Sequence, residues 1–251
     1  MMNKVPAVTL AFWIIKISAT TLGETGGDAL SMTLNLGYAV STIIFLGILI
    51  VTLAGQMAMK SYHAFLYWSV IVATTTTGTT LSDYLDRSLG LGYPLSSILL
   101  LAAVLLVLAW WRLATGSASV SDITTRKAEL FYWATIFFSN TLGTALGDFL
   151  ADSWGFGFDG GAVVFGATIA VIAAAYFWTS VSHTLLFWAA FILTRPLGAS
   201  LGDLLTKPHA EGGLDLSRIT SSLTIAAFIV VCILVTDQGA ERIPAEPGER
   251  R

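Results

Sequence analysis

Phe12-Trp13-Ile14-Ile15-Lys16-Ile17-Ser18-Ala19-Thr20-Thr21-Leu22-Gly23-Glu24-Thr25-Gly26-Gly27-Asp28 is the stretch on which the fold turns. It holds an aromatic-Trp pair, a Gly ten residues after the Trp, and an Asp five residues after the Gly. The same frame returns as Tyr67-Trp68…Gly78…Asp83, Tyr132-Trp133…Gly143…Asp148 and Phe187-Trp188…Gly198…Asp203, with every internal spacing kept. Four such coincidences define an internal repeat. Each copy lies in apolar sequence, where an ionisable side chain is costly and marks function by default.

Outward from these copies the whole chain is apolar. Of 251 residues, 55% are hydrophobic and 12% charged, against roughly a quarter charged in a soluble domain. Apolar runs recur at the length of about 20 residues that a helix needs to cross a bilayer. Eight segments can be placed, at approximately 5–30, 38–58, 62–87, 94–114, 127–153, 161–180, 183–206 and 217–236. Odd segments carry the repeated frame and even segments are plain. Gly37-Tyr38, Gly92-Tyr93 and Gly157-Phe158 lie 24 residues after their Trp, and Gly213-Leu214 lies 25 after. Such pairs mark the turn into the even helix.

The Trp-to-Trp separations are 55, 65 and 55, so Trp13 and Trp133, Trp68 and Trp188, and also His63 and His183 are each 120 apart. The expected organisation is repeat 1 at 1–58, repeat 2 at 59–115, a polar linker at 116–127, repeat 3 at 128–180, repeat 4 at 181–236, and a disordered tail at 237–251. A two-helix repeat brings the chain back to the side it started from. The expected fold is therefore all-α, a polytopic membrane protein of eight transmembrane helices built from four repeats in the same orientation, unlike inverted-repeat transporters. Lys4, Lys60, Arg112, Arg126, Lys127, Arg242, Arg250 and Arg251 fall on the terminal side, and Arg87, Lys207 and Arg218 on the other. The positive-inside rule then puts both termini in the cytoplasm and the chain in the cytoplasmic membrane. The run after Lys4 lacks a small-x-small cleavage site and is expected to stay as the first helix. The repeat Asp, about 23 residues into each odd segment, is expected near the outer face or at a break in the helix.

On a straight helix, positions 3, 7, 11 and 15 after the Trp share one stripe. They are Lys16, Thr20, Glu24, Asp28; Ile71, Thr75, Thr79, Asp83; Ile136, Asn140, Thr144, Asp148; and Phe191, Arg195, Ala199, Asp203. In lipid this stripe must face the bundle interior. Five carboxylates (Glu24, Asp28, Asp83, Asp148, Asp203) then face two cations (Lys16, Arg195), a net charge of −3. Carboxylates in low dielectric repel one another, and protons or a bound cation relieve them. Oxygen ligands of this kind, with Thr20 and Asn140 beside them, suit Mn²⁺, Ca²⁺ or Mg²⁺ as a transported substrate.

Other roles compete for the same residues. Four identically placed Asp residues also fit helix caps, whereas Glu24, Lys16 and Arg195 break the symmetry and are expected to carry function. Lys16–Glu24 or Arg195–Glu24 would be an ion pair, and a purely structural bridge is the plainer alternative. His63 and His183 could relay protons or simply sit at the interface. Trp13, Trp68, Trp133 and Trp188, with Gly23, Gly78, Gly143 and Gly198, are expected to be structural marks of the repeat, the Trps packing between helices. Asp86, Arg87, Asp152, Asp159, Lys207, His209 and Glu211 are expected in outer loops, paired locally or facing water. Cys232 stands alone, so no disulfide framework or thiolate cluster forms. No nucleophile–base pair, phosphate loop, zinc motif or haem motif is present, which argues against an enzyme. The expected partners are the bilayer and a small inorganic cation, not nucleic acid.

The opening Lys4-Val5-Pro6, the run Lys16 to Asp28 and the later Leu-small-Asp-x-Leu copies resemble an uncharacterised bacterial membrane-anchored family whose tandem element is described only as a repeat of unknown function. That resemblance covers essentially the whole chain and implies no activity. Glu24-Thr25-Gly26-Gly27-Asp28 is also similar to the Glu-x-Gly-Asp-Lys/Arg-Thr/Ser motif of the Golgi-type calcium/manganese–proton exchangers, with one Gly more and no basic residue after the Asp. The other copies, such as Gly143-Thr144-Ala145-Leu146-Gly147-Asp148, share only a Gly-Asp or Ser-Asp pair with it. The leading expectation is a proton-coupled transporter of a divalent cation. A non-transporting membrane scaffold or sensor is the first alternative, and an ion channel with four Asp residues around its axis is the second.

Overall fold

A computed structural model of the chain describes residues 4–236; the tail expected to be disordered lies outside them. Among the described residues are eight α-helices and no strand. They are α1 (Leu10–Asp28), α2 (Gly37–Ala58), α3 (Ala64–Asp83), α4 (Tyr93–Thr115), α5 (Arg126–Asp148), α6 (Gly157–Trp178), α7 (His183–Thr206) and α8 (Arg218–Val235). Thr9 and Thr125 cap α1 and α5, their hydroxyls accepting from the amides of Phe12 and Ala128, which satisfies donors that a helix start leaves open.

The repeat shows directly in how the chain turns. In the first three copies the helix ends at the frame Asp and passes into a single π-turn, at Ala29–Thr33, Tyr84–Ser88 and Phe149–Ser153. Two residues with positive φ then redirect the chain: Asn35 and Gly37, Gly90 and Gly92, Gly155 and Gly157. The left-handed region favours Gly and tolerates Asn. The fourth copy departs from this pattern. α7 runs past Asp203 to Thr206 without a π-turn, and its positive-φ residues are Gly212 and Asp215.

The odd helices close into a ring, α1 against α3, α3 against α5, α5 against α7, and α7 back against α1. The even helices form an outer shell, with α2 on α3, α4 on α5, α6 on α7 and α8 on α1. Five helices, α2, α4, α6, α7 and α8, are long and apolar enough to cross a membrane. The outer helices turn residues such as Ile43, Val51, Leu106, Leu113 and Leu234 outward. A continuous apolar jacket of this kind belongs in lipid, and the chain is a membrane protein.

The odd helices are parallel, because one end gathers the aromatics and the other the Asp residues. At the first end each frame aromatic leans on the Trp of the next copy, with ring centroids 5.6 Å apart for Phe12–Trp68, 5.5 Å for Tyr67–Trp133, 6.1 Å for Tyr132–Trp188 and 5.7 Å for Phe187–Trp13. The last pair closes the ring. Trp13, Trp68 and Trp188 stand in the first two turns of their helices and Trp133 about two turns from the start of α5. Higher up, the frame Gly of each copy faces position 7 of the next. Gly23 meets Thr75, Gly78 the backbone of Asn140 and Thr141, Gly143 Arg195, and Gly198 Thr20. A Cβ on Gly78 would stand 2.9 Å from the Thr141 nitrogen, so glycine sets how closely these helices approach.

The segment between the halves is built into the fold. Ala118, Val120 and Ile123 are buried in the main hydrophobic cluster, and Trp188 Nε1 donates to the Ala118 carbonyl at 2.8 Å. The N-terminal segment is tied down nearby. Lys4 Nζ lies 2.7 Å from Glu129 on α5 and 3.3 Å from the Met57 carbonyl.

Candidate functional site

The interior of the ring is a stack of layers, one from each stripe position. Lys16, Ile71, Ile136 and Phe191 form the layer above the aromatics. Thr20, Thr75, Asn140 and Arg195 come next, then Glu24, Thr79, Thr144 and Ala199, and finally Asp28, Asp83, Asp148 and Asp203. All sixteen are buried. The helical stripe read from the sequence is therefore one shared core.

Arg195 is the centre of the polar layers. Its Cβ and Cγ pack against Gly143 of α5, and its Nη2 reaches all three other odd helices. Nη2, which has two hydrogens to share, lies within hydrogen-bond distance of Glu24 Oε2 at 2.9 Å, Thr79 Oγ1 at 2.5 Å and Thr144 Oγ1 at 2.6 Å. Nε and Nη1 have no hydrogen-bond partner among the described residues. An arginine lying between four helices fills the axis where an open pore would run. Pro196 follows it inside α7 and removes one backbone donor, which frees a carbonyl one turn earlier.

At the aspartate end the carboxylates are already paired. Arg87 Nε lies 3.2 Å from Asp83 and its Nη2 3.0 Å from Asp148. Lys207 Nζ lies 3.3 Å from both Asp203 and Asp28, and Arg218 Nε lies 3.5 Å from Asp28. Burial works against the Lys207 ammonium, but Asp203 and then Asp28 outweigh it and raise its pKa above the ordinary lysine value. Arg87 and Lys207 were expected in outer loops, and Arg218 at the outer end of the eighth segment. They fold back because four Asp residues crowded at one end of a low-dielectric core need counter-charges. The five axial carboxylates thus face five cations, Lys16, Arg87, Arg195, Lys207 and Arg218, and the net −3 of the stripe alone is neutralised.

One group still stands out. Carboxylate oxygens of Glu24, Asp28 and Asp203, all buried, lie within 4.8 Å of one another at the junction of α1 and α7. Asp28 Oδ1 has no hydrogen-bond partner among the described residues. Asp83 and Asp148 sit apart from this group, bridged by Arg87. Thr20 and Asn140 do not join it either. The Thr20 hydroxyl donates to the carbonyls of Ile17 and Thr194. Asn140 donates to Thr74 and accepts from Lys16 at 3.2 Å. Lys16 stands 4.2 Å above the Phe191 ring, so the ion pair of Glu24 is with Arg195 and not with Lys16.

The two histidines lie off the axis. His63 is exposed and caps α3, its Nδ1 accepting from the Leu66 amide. His183 is exposed at the start of α7, its ring 4.3 Å from Tyr176. His209 is exposed and its Nδ1 lies 2.8 Å from the Gly213 carbonyl.

Arg87, Lys207 and Arg218 are the site residues that sequence reasoning left out, and Thr79 and Thr144 stood on the stripe without being singled out. A signal for two of them was present. Arg87 and Lys207 each follow their frame Asp by four residues, the spacing of a helical ion pair, and they are 120 residues apart like the other half-to-half equivalents.

Comparison with known proteins agrees with the internal repeat. A family model described as a Repeat of Unknown Function (DUF347) matches the chain four times in tandem, at residues 11–62, 66–117, 131–182 and 186–236. No curated protein and no solved structure matches the chain, so the likeness to calcium/manganese–proton exchangers stays confined to the short motif at Glu24–Asp28.

Proposed function

The chain belongs to the family built on the Repeat of Unknown Function (DUF347), and from its own axial residues we propose that it is a membrane transporter of an inorganic cation. A divalent ion such as Mn²⁺, Ca²⁺ or Mg²⁺ is its substrate. In this proposal all eight helices span the cytoplasmic membrane, and both termini are cytoplasmic. α1, α3 and α5 are 19, 20 and 23 residues long, enough to cross a core that needs about 20, and their polar stripes face one another and not lipid. Orientation is supported by the basic residues. Lys60, Arg112, Arg126 and Lys127 lie at the tryptophan end with no salt bridge among the described residues, whereas Arg87, Lys207 and Arg218 at the other end are held in ion pairs. Unspent positive charge is what the inner leaflet retains.

The observation that carries the proposal is the buried group Glu24, Asp28 and Asp203. Three carboxylates so close to one another match the donor set of a hard divalent cation. In the state described here Arg195 and Lys207 neutralise them. A cation entering from the aspartate end would exchange with the Lys207 ammonium on Asp28 and Asp203, then with the Arg195 guanidinium on Glu24. Internal cations of this kind keep the empty carrier electrically balanced, since a bare cluster in low dielectric is costly.

Thermal unfolding of the purified protein against a panel of divalent ions tests this. A ligand at about a hundredfold over its Kd stabilises by about 2.7 kcal/mol, so Mn²⁺ or Ca²⁺ is expected to raise the melting temperature by several degrees. Glu24→Gln and Asp203→Asn are expected to abolish that gain. Uptake of the same ion into proteoliposomes should vanish in the same variants.

The pairing of all five axial carboxylates with Arg87, Arg195, Lys207 and Arg218 favours a second proposal, a membrane scaffold whose charges form a structural network. It expects no shift from any divalent ion across mildly acidic to mildly basic pH.

A further inference from the structure

Lys16 is the axial cation that the ion-pair network does not use. It is fully buried, and no carboxylate lies within ion-pair distance of it among the described residues. Its Nζ donates to Asn140 Oδ1 at 3.2 Å and stands 4.2 Å over the face of Phe191. An ammonium has three N–H donors. Here one meets an amide oxygen and the charge meets a ring face, while the rest of the layer is Ile71 and Ile136. The ring face offsets only part of what an unpaired buried charge costs. Among the described residues, one amide oxygen and one ring face are thus all that hold this charge, and a neighbouring charge acts on it directly.

Arg195 is that neighbour. The elements around Lys16 carry Asp83 on α3, His183, Arg195 and Asp203 on α7, Arg218 on α8, and Arg126, Lys127, Glu129 and Asp148 on α5. Asp83, Asp148, Asp203 and Arg218 belong to the aspartate end, and His183 and the Arg126–Glu129 group to the other. Tyr67 and Tyr132, in the adjacent aromatic layer, bond their hydroxyls to one another at 2.5 Å. Glu24, on the same helix, is eight residues further on, about 12 Å of rise. Arg195 is one layer away, one helical turn beyond the Phe191 ring on which Lys16 rests.

The same guanidinium is the one bound to Glu24. Resting on the cation-transport proposal above, we infer that Lys16 is the proton carrier that couples it. While Glu24 balances Arg195, the Lys16 ammonium is tolerated. When a divalent cation takes Glu24, the guanidinium loses its counter-charge, and the two neighbouring positive charges cannot both persist. Arginine keeps its proton, so Lys16 releases one to solvent. Reprotonation of Lys16 after the ion leaves resets the pair. Exchange of a divalent ion for a proton then needs neither histidine.

Isothermal titration of the full-length protein with MnCl₂, in two buffers of different ionisation enthalpy at the same pH, counts the protons released on binding. Wild type is expected to release protons, and Lys16→Met to bind Mn²⁺ while releasing about one fewer. Lys16→Arg, with a fixed charge, is expected to release about one fewer as well and to bind about tenfold more weakly. It also serves as the reporter if the Met variant does not fold. An unchanged proton count in either folded variant overturns the assignment of Lys16 while leaving cation binding standing. Absence of Mn²⁺ heat in wild type overturns the cation proposal itself, and this inference with it.

Discussion

The tryptophan and aspartate ends of the inner ring start from the same fourfold sequence frame and solve it differently. At the tryptophan end each copy does the same thing, with the aromatic of one repeat resting on the Trp of the next at 5.5–6.1 Å, four times round. At the aspartate end the four Asp residues pair off. Arg87 bridges Asp83 and Asp148, and Lys207 bridges Asp203 and Asp28, so the symmetry falls to twofold. Between them it falls to one, because a single Arg195 serves Glu24, Thr79 and Thr144. Aromatic packing gains area and edge-to-face contacts from identical groups, so repetition suits it. Identical charges repel, and a ring of like carboxylates stands in a low-dielectric core only if some copies supply the opposite charge.

The largest expected effect is at the point of lowest symmetry. Arg195→Met leaves Glu24 as an unpaired buried carboxylate and is expected to cost about 3–5 kcal/mol, read as loss of folded protein or of a cooperative melt. The double variant Arg195→Met with Glu24→Gln should recover a large part of that loss. Equal stability of the single and double variants would show that the pair is not what holds the centre. Gly78→Ala tests the level where the helices touch. Its Cβ would meet backbone and not a movable side chain, and a loss of about 1–3 kcal/mol is expected. Gly26→Ala, whose Cβ would find its nearest neighbour at 3.8 Å, should be nearly silent in the same melt.

The twofold level is tested by comparing Arg87→Met with Lys207→Met. Arg87→Met strands Asp83 and Asp148, whereas Lys207→Met strands Asp203 and leaves Asp28 to Arg218, but the Arg87 side chain is 32% exposed and that of Lys207 9%. Lys207→Met is therefore expected to be the more damaging, because solvent screens the Asp83–Asp148 pair. The smallest effect belongs to the aromatic end. Trp188→Phe keeps the ring packing and loses the bond to Ala118, about 1 kcal/mol. A much larger loss would mean that the linker, and not the aromatic ring, fixes that end.

Much of this comparison was legible in the chain. Trp13, Gly23 and Asp28 and their copies announced four parallel units, and the stripe from Lys16 to Asp28 pointed to one shared interior, because helical periodicity is local and repeats with the sequence. Arg87 and Lys207 were less visible. They stand beyond the frame, where a charge four residues after an Asp looks the same whether it faces water or folds inward. The segment 116–127 gave no sign of its burial for a similar reason. Its polar residues suit a loop, and only Ala118, Val120 and Ile123 pack inward.

By itself the sequence determined the repeats, the helices, their common direction and the residues that share an inner face, all of which depend on spacing along one strand of chain. The tertiary structure alone decided that the ring closes α7 onto α1 and brings Arg195 to Glu24 from 171 residues away. It also decided that Asp28 joins Asp203 and not Asp83, and that Lys16 is left without a carboxylate. Which charges meet depends on the order in which helices surround the axis, and electrostatic energy inside a low-dielectric core is set by those distances, which spacing along the chain does not encode.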